Sequence, residues 1–186
     1  MKINTKNNRM EQEIRIVEGG EKNRKKGLNG ERYYAKFFRS FGFVECQTSR
    51  KVARPLDDAK VDLVGLPFNI QIKTGIHKNM SVGKELSHMD ACIKSMFDEN
   101  HPDYNKPRLL IHKYDIGRGK RRKPENEQLY MSFEQFNRFK EQVPDLVWDD
   151  IKQSKYDTKS EFKTIVRMTF DYFVEKILPL YIDNEK

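Results

Sequence analysis

The stretch KVDLVGLPFNIQIK, residues 60–73, decides how this chain is read. It forms two short apolar runs, 60–65 and 68–74, broken at Leu66 and Pro67, and the pattern predicts a β-hairpin. Asp62 stands at the start of the first strand, and Gln71 and Lys73 stand two apart on the second. Side chains two apart on a strand point to the same face. An acid, an amide carbonyl and an ammonium therefore converge near one end of the hairpin. A partly buried charge costs stability unless it is paired, so a purely structural hairpin gains little from them. Metal-assisted phosphodiester chemistry uses such a set: an acid to hold a divalent cation, and a lysine near the water and the phosphate.

Working outward, residues 24–41 predict a helix whose buried face carries Tyr34, Phe37, Phe38 and Phe41. Glu31 shares that face, and Gly42 is the expected stop. Residues 43–50 predict a strand, and 51–59 a loop holding Pro55 and the Asp57–Asp58 pair. After a polar stretch at 75–83, Leu86, Met89, Ile93, Met96 and Phe97 mark an amphipathic helix whose Met and aromatic stripe is core. A strand at 108–114, a loop at 116–126, a strand at 128–132 and a helix at 133–142 follow. Thr158 and Glu161 form a capping-box pattern, which predicts a last helix carrying Phe162, Ile165, Val166, Phe173 and Ile177 and stopping near Pro179. The fold class expected is mixed α/β. Residues 1–23 are expected as a mobile polar arm with a short strand at 13–17. Residues 24–142 are expected as the core, and 143–186 as a helical extension carrying Trp148 and a candidate dimer interface.

At 186 residues the chain is long enough for one domain, and twelve Phe and eight Tyr supply its core. A net charge of +8 speaks to partners rather than fold, with nucleic acid first and an anionic membrane surface second. No apolar run approaches the ~20 residues of a spanning helix. No signal peptide is visible, so a cytoplasmic location is expected. Cys46 and Cys92 are too few for a disulfide framework and are expected as reduced thiols. His77, His88, His101 and His112 show no zinc spacing with them, and there is no phosphate-binding glycine loop and no nucleophile elbow.

Gly27-Leu28-Asn29-Gly30-Glu31, Asp62 after Val61, and Gln71-Ile72-Lys73 together resemble the PD-(D/E)xK nuclease superfamily in its QxK variant. The likeness runs from Lys26 to about Thr74 by motif and to about Gln142 by element order. It implies a restriction-endonuclease-like mixed central sheet flanked by helices, with an αβββαβ core, and Mg²⁺-dependent cleavage of DNA. The Lys-Gly…Gly-Glu helix and the Ser49–Arg50 pair resemble Holliday-junction resolvases and related phage or archaeal endonucleases. That implies branched DNA as substrate, and a homodimer, because cutting two symmetric strands needs two sites. Two positions depart from the family pattern: Gln71 replaces the usual acid, and Val61 the usual proline.

The chemistry follows from the residues. Mg²⁺, or Mn²⁺ in its place, takes oxygen ligands in octahedral geometry and keeps several waters. Asp62 is the expected central ligand, with the Gln71 side-chain oxygen and the Ile72 carbonyl beside it. Glu31 acts directly or through water, and Asp58 restores the charge that Gln71 lacks. Lys73 orients or helps deprotonate the attacking water and offsets charge on the phosphate. Expected DNA contacts are Ser49 and Arg50, Lys25 and Lys26 at a helix N-terminus, and the loop residues Arg118, Lys120, Arg121, Arg122 and Lys123. Each has a plain alternative. Glu31 is then a helix-surface acid, Asp62 a strand cap or a partner of Lys60, Lys73 an edge lysine, Asp57–Asp58 a turn, and the basic run a solvated loop. At the level of function the alternatives are a restriction- or repair-type nuclease on duplex or nicked DNA, or an inactive DNA-binding module on a nuclease fold.

Overall fold

The hairpin at residues 60–73 forms in the computed structural model, where β2 (Leu63–Val64) pairs antiparallel with β3 (Asn69–Thr74) and Leu63 lies opposite Ile70. The structure describes residues 4–75, 80–114, 126–142, 152–154 and 164–182. Before the hairpin come α1 (Asn4–Ser40), β1 (Gln47–Thr48), α2 (Ser49–Val52) and α3 (Arg54–Asp58). After it come α4 (Val82–Met96), β4 (Arg108–Lys113), β5 (Glu127–Ser132) and α5 (Phe133–Gln142). The chain closes with β6 (Lys152–Ser154), β7 (Ile165–Thr169), α6 (Phe170–Lys176) and α7 (Pro179–Ile182).

The strands make one seven-stranded sheet in the order β1-β2-β3-β4-β5-β7-β6. Among the described strands only β3 and β4 run parallel, with α4 in the connection between them, as a parallel crossover requires. Both faces are covered. Ile70, Ile72, Leu109, Ile111, Leu129 and Met131 pack into one core with Tyr34 and Phe38 of α1, Phe136 of α5 and Phe173 of α6. Leu110 and Tyr130 face the other way, against Leu56 of α3 and Leu86, Met89 and Ile93 of α4. Burial on both faces explains the unbroken apolar run of β4. The expected mixed α/β class is what the chain adopts, and a helix, three strands, a helix and a strand follow in the expected order with two short helices inserted.

Four local expectations are corrected. Residues 43–50 are not one strand. Gly42 has φ +110, Cys46 N–H donates to Phe43 O, and only Gln47 and Thr48 pair before Ser49 opens α2. Residues 51–59 are mostly helical, because Pro55 sits in the first turn of α3, where its missing N–H costs nothing. Residues 165–169 are a strand between β5 and β6 rather than helix, and Thr169 Oγ1 then caps α6 by accepting from Tyr172 N–H at 3.2 Å. The segment read as a helical extension thus contributes an inner strand to the sheet, and its Phe170, Phe173 and Ile177 join the main core. The backbone of α1 is helical from Asn4, so the strand expected at 13–17 does not form. The basic run 118–123, Trp148 and the capping pattern at 158–161 lie outside the described residues.

Two glycines permit close approaches, one beside the open end of the hairpin and one at its turn. A Cβ on Gly30 would overlap Thr74 Cγ2, so α1 lies against β3 only because residue 30 has no side chain. Gly65 has φ +74 and meets the Glu45 carbonyl in the same way, which ties the hairpin turn to the segment before β1.

Candidate active site

Asp62 is fixed by its backbone before its side chain does anything. Its N–H donates to Ile70 O at 2.8 Å, and its carbonyl accepts from Ser49 N–H at 3.0 Å. Its Oδ2 then accepts from Ile72 N–H at 2.6 Å. The acid therefore hangs at the mouth of the hairpin, beside the residues that alternate along β3.

A cleft of about 370 Å³ opens there. Glu31 of α1, Asp62, and Gln71, Ile72 and Lys73 of β3 line it. Arg50, Asp57, Asp58, Lys60 and Gly27 complete the wall. Glu31, Asp62, Gln71 and Lys73, scattered over more than forty positions of sequence, meet as expected, together with Ile72, Asp58 and Arg50.

The electrostatics are those of a site short of positive charge. Glu31 is 4% exposed; its Oε1 faces Arg50 Nη2 at 3.4 Å, and its Oε2 is buried without a hydrogen-bond partner among the described residues. Gln71 is equally buried, and its Oε1 also lacks a partner. Burial raises the Glu31 carboxyl above its ordinary range; Arg50 draws it back and Asp57 pushes it up again. The half-buried Asp62 is pushed up to about 7, chiefly by burial, with the Ile72 N–H opposing and the Glu31 charge adding to the rise. Lys73 and Arg50 oppose it more weakly. Buried oxygens without donors are costly, and at a cleft wall they suit a ligand that supplies positive charge.

The donor set is two carboxylates and one amide, all oxygen, which fits a hard divalent cation such as Mg²⁺. Among the described residues no group of three or more His, Cys, Asp or Glu side chains is arranged to hold a metal. The third oxygen at this cleft is Gln71 Oε1, so the departure from the acidic pattern costs the site one negative charge.

The sequence reading missed three features. Glu85, in the first turn of α4, holds Lys73 Nζ at 2.9 Å; its only sequence signal was an acid three residues into a helix capped by Ser81. Asp57 faces Arg50 Nε at 3.6 Å. Lys60, in the cleft wall, has φ +67, a left-handed conformation that non-glycine residues rarely adopt.

The expected DNA contacts separate. Arg50 reaches the cleft. Ser49 is fully buried and absent from the cleft wall, so it is withdrawn as a phosphate contact. Lys25 and Lys26 are exposed but sit in the body of α1, far from its N-terminus, so the helix-end argument for anion binding fails for them. Lys26 instead lines a neighbouring cleft of about 340 Å³ that shares Gly27, Ile72 and Lys73 with the first. Cys46 and Cys92 are free thiols, as expected, and burial pushes Cys46 up to about 12. Among the described residues no helix is long and apolar enough to cross a membrane. Compared with known proteins, the chain matches no family model, no curated protein and no solved structure, so the reading of the cleft rests on its own residues.

Proposed function

We propose that the chain is a divalent-cation-dependent DNA endonuclease of the PD-(D/E)xK type, acting on branched DNA in the cytoplasm as a homodimer. The observation that carries the reading is the meeting of Glu31, Asp62, Gln71 and Lys73 around one cleft in which two buried oxygens lack hydrogen-bond partners among the described residues. The element order around that cleft supports a restriction-endonuclease-like core.

Asp62, Gln71 Oε1 and Glu31 are the residues that would hold Mg²⁺ or Mn²⁺. Bound there, the cation acidifies water and offsets phosphate charge. Asp62 keeps one carboxylate oxygen for it, because Ile72 N–H engages the other. The Lys73 ammonium offsets charge that develops on the phosphate oxygens, and its tie to Glu85 fixes where that charge sits. Asp58, exposed on the wall, adds negative charge that Gln71 lacks. Net basicity draws the polyanion to the protein without reading its sequence.

The purified chain incubated with a four-way junction, and with a linear duplex of the same sequence, tests this. Cleavage of the junction with Mg²⁺ and none with chelator is expected, and Asp62→Asn or Lys73→Ala should lower it by about 100-fold or more while DNA binding persists. Full activity of both variants would remove the assignment. Equal cutting of the duplex would shift the substrate to restriction- or repair-type DNA.

A second reading is an inactive DNA-binding module. It is favoured by the neutral Gln71 and by the guanidinium that already faces Glu31. Calorimetry separates the two: no heat with Mg²⁺ or Mn²⁺, together with no turnover, selects the module.

A further inference from the structure

Arg50 faces two acids and is tightly bound by neither. Its Nη2 lies 3.4 Å from Glu31 Oε1 and its Nε 3.6 Å from Asp57 Oδ1. Close charge-assisted pairs lie near ~2.8 Å and are often bidentate, so this contact is loose. The Arg50 side chain is 46% exposed, whereas that of Glu31 is 6% exposed, so the cation sits at the mouth and the acid in the wall. Its backbone is nonetheless fixed: the preceding Ser49 N–H is bonded to Asp62 O, and Ser49 O accepts from Ala53 N–H at 2.8 Å. The guanidinium is therefore free to swing on its stem while its root stays beside Asp62. Glu31 Oε2, buried and without a hydrogen-bond partner among the described residues, is the atom a second cation would seek.

We propose that Arg50 is an exchangeable counter-ion of Glu31, which a divalent cation displaces and which then turns to a phosphate of the bound DNA. This rests on the cation-dependent nuclease reading above. A guanidinium and a divalent ion on one carboxylate repel each other strongly in a half-buried cleft, so occupation by one expels the other. The phosphate is the one new anion arriving at the mouth, and the planar fork of Arg50 suits it. Cation and DNA then become coupled ligands, and the coupling is reciprocal: each raises the affinity of the other.

The test uses the full chain and two titrations. Mn²⁺ is titrated into DNA-free protein by calorimetry. A labelled short duplex is titrated by anisotropy, with Ca²⁺ or with chelator, at matched ionic strength. Arg50→Gln keeps the length of the stem, and Arg50→Ala serves as a second variant; thermal unfolding confirms that both fold. We expect both to bind Mn²⁺ about 3–10-fold more tightly than wild type, and the cation-dependent gain in DNA affinity, about 5-fold or more in wild type, to shrink toward none. Lys60→Gln removes another positive charge from the same wall. An equal tightening by that variant, or unchanged or weaker Mn²⁺ binding in the Arg50 variants, would overturn the exchange while the nuclease reading stands. No Mn²⁺ heat in any protein would overturn both.

Discussion

Lys73 Nζ lies 2.9 Å from Glu85 Oε2, which joins the strand of the cleft to the first turn of α4. Both side chains are partly buried, so the pair directs a flexible four-carbon stem more than it stabilises the fold. On the nuclease reading, Glu85→Ala should lower DNA cleavage by about 10-fold and leave DNA affinity within about 2-fold. Glu85→Gln, which keeps an acceptor oxygen, should recover most of the loss. In a Lys73→Ala background the Glu85 change should add nothing, because the ammonium it positions is gone. Losses that multiply across the two sites would show that Glu85 acts elsewhere.

Asp62 gives the fold a pH dependence of definite sign. Its carboxyl rises from an ordinary 3.8 to about 7 in the folded chain. Between those values the unfolded chain has lost the proton and the folded chain keeps it, so stability falls as pH rises from about 4 to about 7 and stays low above. Glu31, raised in the same direction, adds to the fall. Asp62→Asn should flatten the slope and, with chelator at pH 8, exceed wild type by on the order of 1 kcal/mol or more. Urea unfolding across pH 5–8 reads this. Added Mn²⁺ at pH 8 should raise the wild-type midpoint and not that of the Asn variant. A wild-type midpoint that climbs with pH through this range would contradict the burial of the acid.

The hairpin and its acid were legible because a strand's period of two is short and local: Gln71 and Lys73 had to share a face whatever surrounded them. The helix before it was legible because Tyr34, Phe37, Phe38 and Phe41 repeat at helical spacing, and the strand β4 because its apolar residues form a short unbroken run. What failed was register between near-equal patterns. Ile165, Val166 and Phe173 fit a helical stripe, yet the sheet had an unfilled ladder beside β5, and pairing there decided the matter. Pro55 read as a breaker because its place in the first turn of a helix depends on where the helix starts. Glu85 and Asp57 were invisible as site residues, since an ion pair between distant elements leaves no local mark.

Gly30 predicts a rescue. A methyl at residue 30 collides with Thr74 Cγ2, and the helix that carries Glu31 must lift away from β3. Gly30→Ala should lose about 1–3 kcal/mol despite the better helix propensity of alanine. Thr74→Ser, which removes that methyl and keeps the hydroxyl, should restore most of it. Urea midpoints of the four proteins in the cycle decide the point. If Gly30→Ala proves as stable as wild type, the close approach of α1 and β3 is not needed.

Lys60 sets local strain against charge in the cleft. With φ +67 it occupies backbone space that costs a non-glycine residue roughly 1 kcal/mol or more, and it does so two residues before Asp62. Strain that persists at a cleft wall argues for a role of the side chain in the cleft. Lys60→Gly should relieve it and raise stability by up to about 1 kcal/mol, less what the unfolded chain gains in freedom. On the nuclease reading, the same variant should bind duplex DNA several-fold more weakly, with a shallower dependence of affinity on salt, because one positive charge of the cleft wall is lost. Lys60→Asn, which tolerates the same backbone conformation, should reproduce the weaker DNA binding with a smaller change in stability. Stability lost in the glycine variant, or DNA affinity unchanged in both, would mean that the conformation is set by packing alone.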